Sequence, residues 1–248
     1  KNSRRDCRPY VRFSTDEART WSDPVCCGAP EGYFVVNNDR VVQLSNGRLV
    51  IPTSRHDWTD AGGLRPGVAT CLLSDDQGRS WRLCESELHA PPASRSGLQE
   101  PGVVELKDGR LMMLCRTDQG CQFRSFSHDG GLTWSPAEPS SIVSPVSPAT
   151  VKRIPQTGDL LLAWNNHQGI DEARRGKRTP FTVAISTNEG ETWERVKTLE
   201  DDPDGWYCYT AMEFVGDHVL LGHCAGKRST GGLNLTQITL FPVDWLYR

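Results

Sequence analysis

The sequence contains no apolar run approaching the roughly 20 residues that a membrane-crossing helix needs, which excludes a helical span. It carries little net charge. The 28 Lys and Arg against 31 Asp and Glu leave a formal −3, spread along the chain, so there is no basic footprint of a nucleic-acid binder. No amphipathic helical pattern is present. There is no G-x-G-x-x-G, Walker loop or H-E-x-x-H, so no cofactor is expected. The nine cysteines include no C-x-x-C joined to a second pair or to histidines at ligand spacing, which argues against a metal site. They read as scattered buried thiols acting as small hydrophobes. The compartment stays open on this count, with an extracellular or periplasmic one favoured.

What the sequence does contain is a repeat. STDEARTW from Ser14, SDDQGRSW from Ser74, SHDGGLTW from Ser127 and STNEGETW from Ser186 start 60, 53 and 59 residues apart. Around each box the chain follows one plan: a β-rich run, a turn, a second run, a variable stretch, a third run, the box, and a short fourth run. VVQL-SNG-RLVIPTSR from Val41 and GVVEL-KDG-RLMMLCR from Gly102 carry the NG and DG signals of hairpins. Four short antiparallel strands recurring every 50 to 60 residues or so predict an all-β protein, a β-propeller. In the boxes, Asp suits a tight turn, Gly supplies positive φ, and Trp pins the turn to its blade. The boxes therefore read as folding devices. Ala18 at a glycine position and Asn188 at an aspartate position predict two less regular turns.

A length of 248 residues suits one sizeable core. The expected organisation is a single propeller domain over 1–248, with an incomplete first blade over 1–25 and further blades over about 35–90, 98–143, 147–200 and 207–245. Only 13 residues precede the first box, against 52 between Trp21 and Ser74. The expectation is an N-terminally truncated first blade and a six-bladed parent.

Strand direction sorts residues by face. The boxes and the SNG-type turns share one face of the propeller. The opposite face gathers the starts of first and third strands and the ends of second strands. Glu100 precedes a first strand, and Arg116 ends its hairpin partner. Arg178 and Asp6 open third strands, and Tyr209 opens the last blade. Asp39 and Arg40 open an earlier one, with His56 at a second-strand end, and His167 is a further candidate donor. Planar guanidinium groups such as those of Arg116 and Arg178 bind a carboxylate bidentately. A tyrosine hydroxyl, with an ordinary pKa near 10, becomes a nucleophile when a carboxylate such as Glu100 takes its proton. A separate acid such as Asp6 can protonate a leaving group.

The four S-x-D-x-G-x-[ST]-W boxes, the run EPGVVELKDGRLMMLCR and the later YTAMEFVGDHVLLGHC resemble the sialidase (exo-α-sialidase, neuraminidase) family of Asp-box propellers over essentially the whole chain. The resemblance implies a six-bladed propeller that removes terminal sialic acid with retention, using a tyrosine nucleophile. Carried over by motif, Tyr209 resembles the nucleophile, Glu100 its partner and Asp6 the acid/base. Arg116 and Arg178 resemble the second and third arginines on the substrate carboxylate. The family's first arginine has no counterpart, and Arg40 is a candidate to assist. Thr210 and Ala211 stand where the family has serine and an acidic residue, which leaves the acidic sugar open among sialic acid and Kdo- or Kdn-type relatives. Expected partners are terminal sialosides or other acidic glycans. A non-catalytic propeller that binds such glycans is the alternative, as is a glycosidase for another acidic sugar. Asp39 and Arg40 read equally as pocket lining and as an inter-blade ion pair, and His56 and His167 as donors or packing residues.

Overall fold

The computed structural model describes residues 6–28 and 30–248. The part of the expected first blade that falls on residues 1–5 lies outside them. The chain is almost entirely β. Strands β1 (Tyr10–Val11) and β2 (Val25–Cys26) form a two-stranded ribbon. Next come β3 (Tyr33–Val35), β4 (Val42–Gln43), β5 (Leu49–His56), β6 (Val68–Ser74) and β7 (Arg82–Leu83), in which β3 and β4 both pair with β5. The following sheet is β8 (Gln99–Glu105), β9 (Leu111–Arg116), β10 (Cys121–Ser127) and β11 (Glu138–Val143). A third comprises β12 (Thr150–Arg153), β13 (Leu160–Asn165), β14 (Phe181–Ser186) and β15 (Glu194–Glu200). The last has three strands, β16 (Gly205–Val215), β17 (His218–Lys227) and β18 (Thr236–Pro242). These antiparallel meanders are the four blades of a β-propeller among the described residues.

The core lies between blades. Successive side chains of a strand point to opposite faces, so a blade packed on both sides needs apolar residues at every position. The run Leu111–Cys115 meets that demand: Leu111, Met113 and Cys115 pack with Val50, Cys71 and Leu73 of the preceding blade, while Met112 and Leu114 pack with Leu160 and Leu162 of the next. Leu161, Ala163 and Phe181 in turn pack against Met212 and Leu221. The cysteines are free thiols, and Cys27, Cys71, Cys84, Cys115 and Cys208 are buried.

All four boxes close in one geometry. The serine Oγ accepts the N–H of the fifth box residue at 2.8 Å in each, and the third residue's carbonyl or carboxylate oxygen accepts the N–H of the seventh at 2.9 to 3.0 Å. The expectation of two irregular turns is therefore corrected. Ala18 takes φ 63°, close to the glycine conformation. Asn188 Oδ1 replaces the carboxylate oxygen while Nδ2 donates to Thr192 Oγ1 at 2.9 Å. An amide supplies both roles that the turn requires. Trp81 and Trp134 donate Nε1–H to Gly78 and Gly131 carbonyls, whereas Trp21 is 54% exposed.

These turns make stability depend on pH. The Asp16 and Asp76 carboxyls are held down to about 2, first by hydrogen bonds from the Thr20 and Ser80 hydroxyls and then from those residues' N–H groups. A carboxyl lowered from an unfolded value near 3.9 contributes fully above that value and loses its contribution as pH falls toward 2. The melting temperature is expected to fall through that window. Asp76→Asn should flatten the fall, because Asn188 already supports the same turn, and melting curves at stepped pH check it.

Candidate active site

Two bulges build the site. Pairing of β8 with β9 steps from Gln99↔Arg116 to Gly102↔Leu114, so Glu100 and Pro101 oppose one residue. Pairing of β16 with β17 steps from Cys208↔Cys224 to Ala211↔Gly222, so Tyr209 and Thr210 oppose one residue. Both side chains sit at positive φ, 47° for Glu100 and 55° for Tyr209. A non-glycine residue held there costs about 1–3 kcal/mol, so its surroundings must fix it in place. The sequence reading put Glu100 ahead of its strand and Tyr209 at the opening of its blade. Both instead lie inside strands, because a bulge re-aims a side chain without ending the strand.

The outcome is a compact cluster. Tyr209 Oη donates to Glu100 Oε1 at 3.2 Å, and Arg116 Nη1 lies 2.8 Å from Glu100 Oε2. The Arg116 and Glu100 side chains are only 16% and 12% exposed, so water screens this pair weakly. Arg178 stacks its guanidinium 5.2 Å from the Tyr209 ring centroid and 4.9 Å from that of Trp206. Its carbonyl accepts the Tyr207 N–H at 3.0 Å, tying the start of β14's approach to β16. Arg116 Nε and Arg178 Nη1 are buried without a hydrogen-bond partner. Burial pushes the neighbouring Cys208 thiol up despite Arg178 beside it, so this cysteine stays protonated near neutral pH.

The other candidates make their hydrogen bonds to residues outside this cluster. Asp6 accepts from Arg8 Nη2 at 3.0 Å and from the Gly32 N–H at 3.3 Å. No hydrogen bond or ion pair joins it to the cluster among the described residues. His56 is buried, its Nδ1 3.1 Å from the Arg65 carbonyl, and His167 has Nε2 2.9 Å from the Lys177 carbonyl. Both ring nitrogens therefore donate to backbone. Arg40 is 4% exposed and donates to the Ala149 carbonyl and Thr150 Oγ1. Burial pulls its guanidinium down to about 10, opposed by the charges of Asp39 and Glu100. Asp39 pairs with Lys152 at 2.9 Å. Three contributors went unread in the sequence: Ser54, whose Oγ accepts the Glu100 N–H at 3.1 Å; Asn38, which reaches the Tyr209 carbonyl; and Trp206 under Arg178. An isolated serine or asparagine gives no sign of a partner so far along the chain.

The model of the BNR repeat-like domain matches residues 2–220. The chain belongs to the BNR repeat-like domain family. Its architecture is a sialidase-type BNR propeller. A leech intramolecular trans-sialidase complexed with 2,7-anhydro-Neu5Ac superposes with a TM-score of 0.73 at 21% identity, over 96% of this chain and 36% of that one. An intramolecular trans-sialidase from Ruminococcus gnavus, in complex with oseltamivir carboxylate, gives 0.72 at 20% identity over 96% and 50%. Trypanosoma rangeli sialidase gives 0.67 at 16% identity over 96% and 38%. This BNR-repeat chain thus spans between a third and a half of the length of these structures, which share its fold. A comparison with curated proteins gives no match. No helix among the described residues is long and apolar enough to cross a membrane.

Proposed function

We propose that this propeller is a retaining exo-glycosidase for terminal sialic acid or a related 2-keto sugar acid. The observation that carries the reading is the 3.2 Å hydrogen bond from Tyr209 Oη to Glu100 Oε1, with Arg116 on the other carboxylate oxygen. Tyr209 Oη attacks the anomeric carbon as Glu100 takes the phenolic proton, and the bond to the leaving oxygen breaks. A neutral nucleophile suits this substrate class, since the anomeric carbon bears a carboxylate that would repel an anionic one. Arg116 and Arg178, whose planar guanidinium groups flank the Glu100–Tyr209 pair, bind that carboxylate. Water then releases the sugar from Tyr209 with net retention.

The assignment of Asp6 as the acid that protonates the leaving oxygen rests on the resemblance of its motif. On the same reading, the β1–β2 ribbon belongs to an incomplete first blade and the complete ring has six. The fold shared with proteins named as sialidases supports the substrate class.

The test is turnover of a fluorogenic α-sialoside, alongside Kdo- and Kdn-type glycosides, with the released anomer followed by NMR. The α-anomer is expected as first product from one of these sugars. An inverted first product, or a folded protein that binds acidic glycans and turns over none, would refute the reading.

A further inference from the structure

The inner strand of the β3–β7 blade is interrupted: β3 and β4 pair with the two ends of β5, and the segment between them leaves the sheet. Asn38, Asp39 and Arg40 lie on that segment and reach strands of two other blades. Asn38 Nδ2 donates to the Tyr209 carbonyl at 2.9 Å, across 171 residues of sequence. Asp39 Oδ2 accepts the Met212 N–H at 2.8 Å, and its Oδ1 takes Lys152 Nζ at 2.9 Å. Arg40 donates to Thr150 Oγ1 at 3.1 Å and to the Ala149 carbonyl at 3.0 Å, and Thr150 Oγ1 in turn donates to the Thr210 carbonyl at 2.8 Å.

These contacts converge on the bulge that carries Tyr209. A bulge interrupts the ladder, leaving backbone groups that need partners from outside the sheet. Here the Tyr209 and Thr210 carbonyls receive theirs from Asn38 and Thr150, and just past the bulge the Met212 N–H, on the open edge of β16, receives Asp39. Tyr209 sits at φ 55°, a conformation that tyrosine does not favour by itself. Asp39 is also at φ 55°, where aspartate and asparagine are better tolerated than most residues.

We infer that Asn38 and Asp39 are positioning residues: they clamp the β16 bulge so that Tyr209 Oη stays on Glu100. Arg40 anchors the clamp through Thr150. The catalytic form of this inference rests on the reading of Tyr209 as nucleophile, whereas the placement of the ring does not.

Four variants test it. Asn38→Ala removes the donor, and Asn38→Asp keeps the shape but sets a carboxylate against a carbonyl. Asp39→Gly tolerates the positive φ without an acceptor, while Asp39→Asn retains both. The first three are expected to lower kcat on the preferred acidic glycoside by about 10- to 100-fold, with KM within about threefold, because a displacement near 1 Å is enough for such a loss. Asp39→Asn should restore most of the rate. A second readout needs no turnover: the 13Cζ resonance of Tyr209, assigned by its absence in Tyr209→Phe, should move in the first three variants and stay near wild type in Asp39→Asn.

Melting temperatures establish that the variants are folded. A wild-type rate and an unmoved resonance in Asn38→Asp would overturn the clamp, whatever the enzyme's substrate. A moved resonance in a protein that turns over no acidic glycoside would uphold the clamp and refute the glycosidase. Equal loss in Asp39→Asn and Asp39→Gly would overturn the hydrogen-bonding role of Asp39.

Discussion

Tyr209→Phe is expected to lower kcat by about 10³-fold or more, while KM changes by no more than about threefold. Only one oxygen is lost. The Tyr209 ring remains available to stack with Arg178, whose guanidinium lies 5.2 Å from its centroid, so the substrate-binding surface is retained. The Glu100 carboxylate keeps Arg116 at 2.8 Å and stays paired. An interaction made only as the transition state forms shows as a loss in kcat and kcat/KM together. Steady-state kinetics on the preferred acidic glycoside would measure this. A phenylalanine variant that retained wild-type kcat would remove the tyrosine from the chemistry.

Glu100→Gln should lower kcat by about 10²- to 10⁴-fold, the usual scale for losing a positioned base. Glutamine preserves the shape, and its carbonyl can still accept a hydrogen bond from Tyr209 Oη. It cannot receive the proton as a carboxylate does. The substitution also leaves Arg116 without its anionic partner in a site where the two side chains are 16% and 12% exposed. Breaking so enclosed a pair is destabilising, so a lower melting temperature should accompany the kinetic loss. Glu100→Gln kinetics taken well below that melting temperature separate the two effects. A variant that melted earlier with kcat intact would mark Glu100 as structural alone.

The sequence made the architecture legible for a physical reason. Box spacing, the SNG and KDG turns, and continuous apolar runs such as Leu111–Cys115 all follow from strands buried on both faces between short turns. It also singled out Glu100, Arg116, Arg178 and Tyr209, which the fold gathers into one cluster. The bulges were not legible. Inserting one extra residue against a partner strand leaves no compositional mark, so the sequence alone places Glu100 ahead of its strand and Tyr209 at the opening of its blade. Nor did local sequence tell what Asn38, Asp39 and Arg40 hold, because their partners lie 109 to 173 residues away. The boxes erred in the other direction. Ala18 and Asn188 break the pattern in letters yet keep the turn, because hydrogen-bond geometry rather than residue identity defines it.

The central claim is that Tyr209 is the nucleophile, and covalent trapping tests it most directly. The protein would be incubated with 2,3-difluorosialic acid, or the equivalent difluoro derivative of its preferred acidic sugar, digested, and the labelled peptide sequenced by mass spectrometry. The account predicts one adduct, on Tyr209, absent from Tyr209→Phe. An adduct on another residue, or none from a protein that turns over the corresponding glycoside, would contradict it.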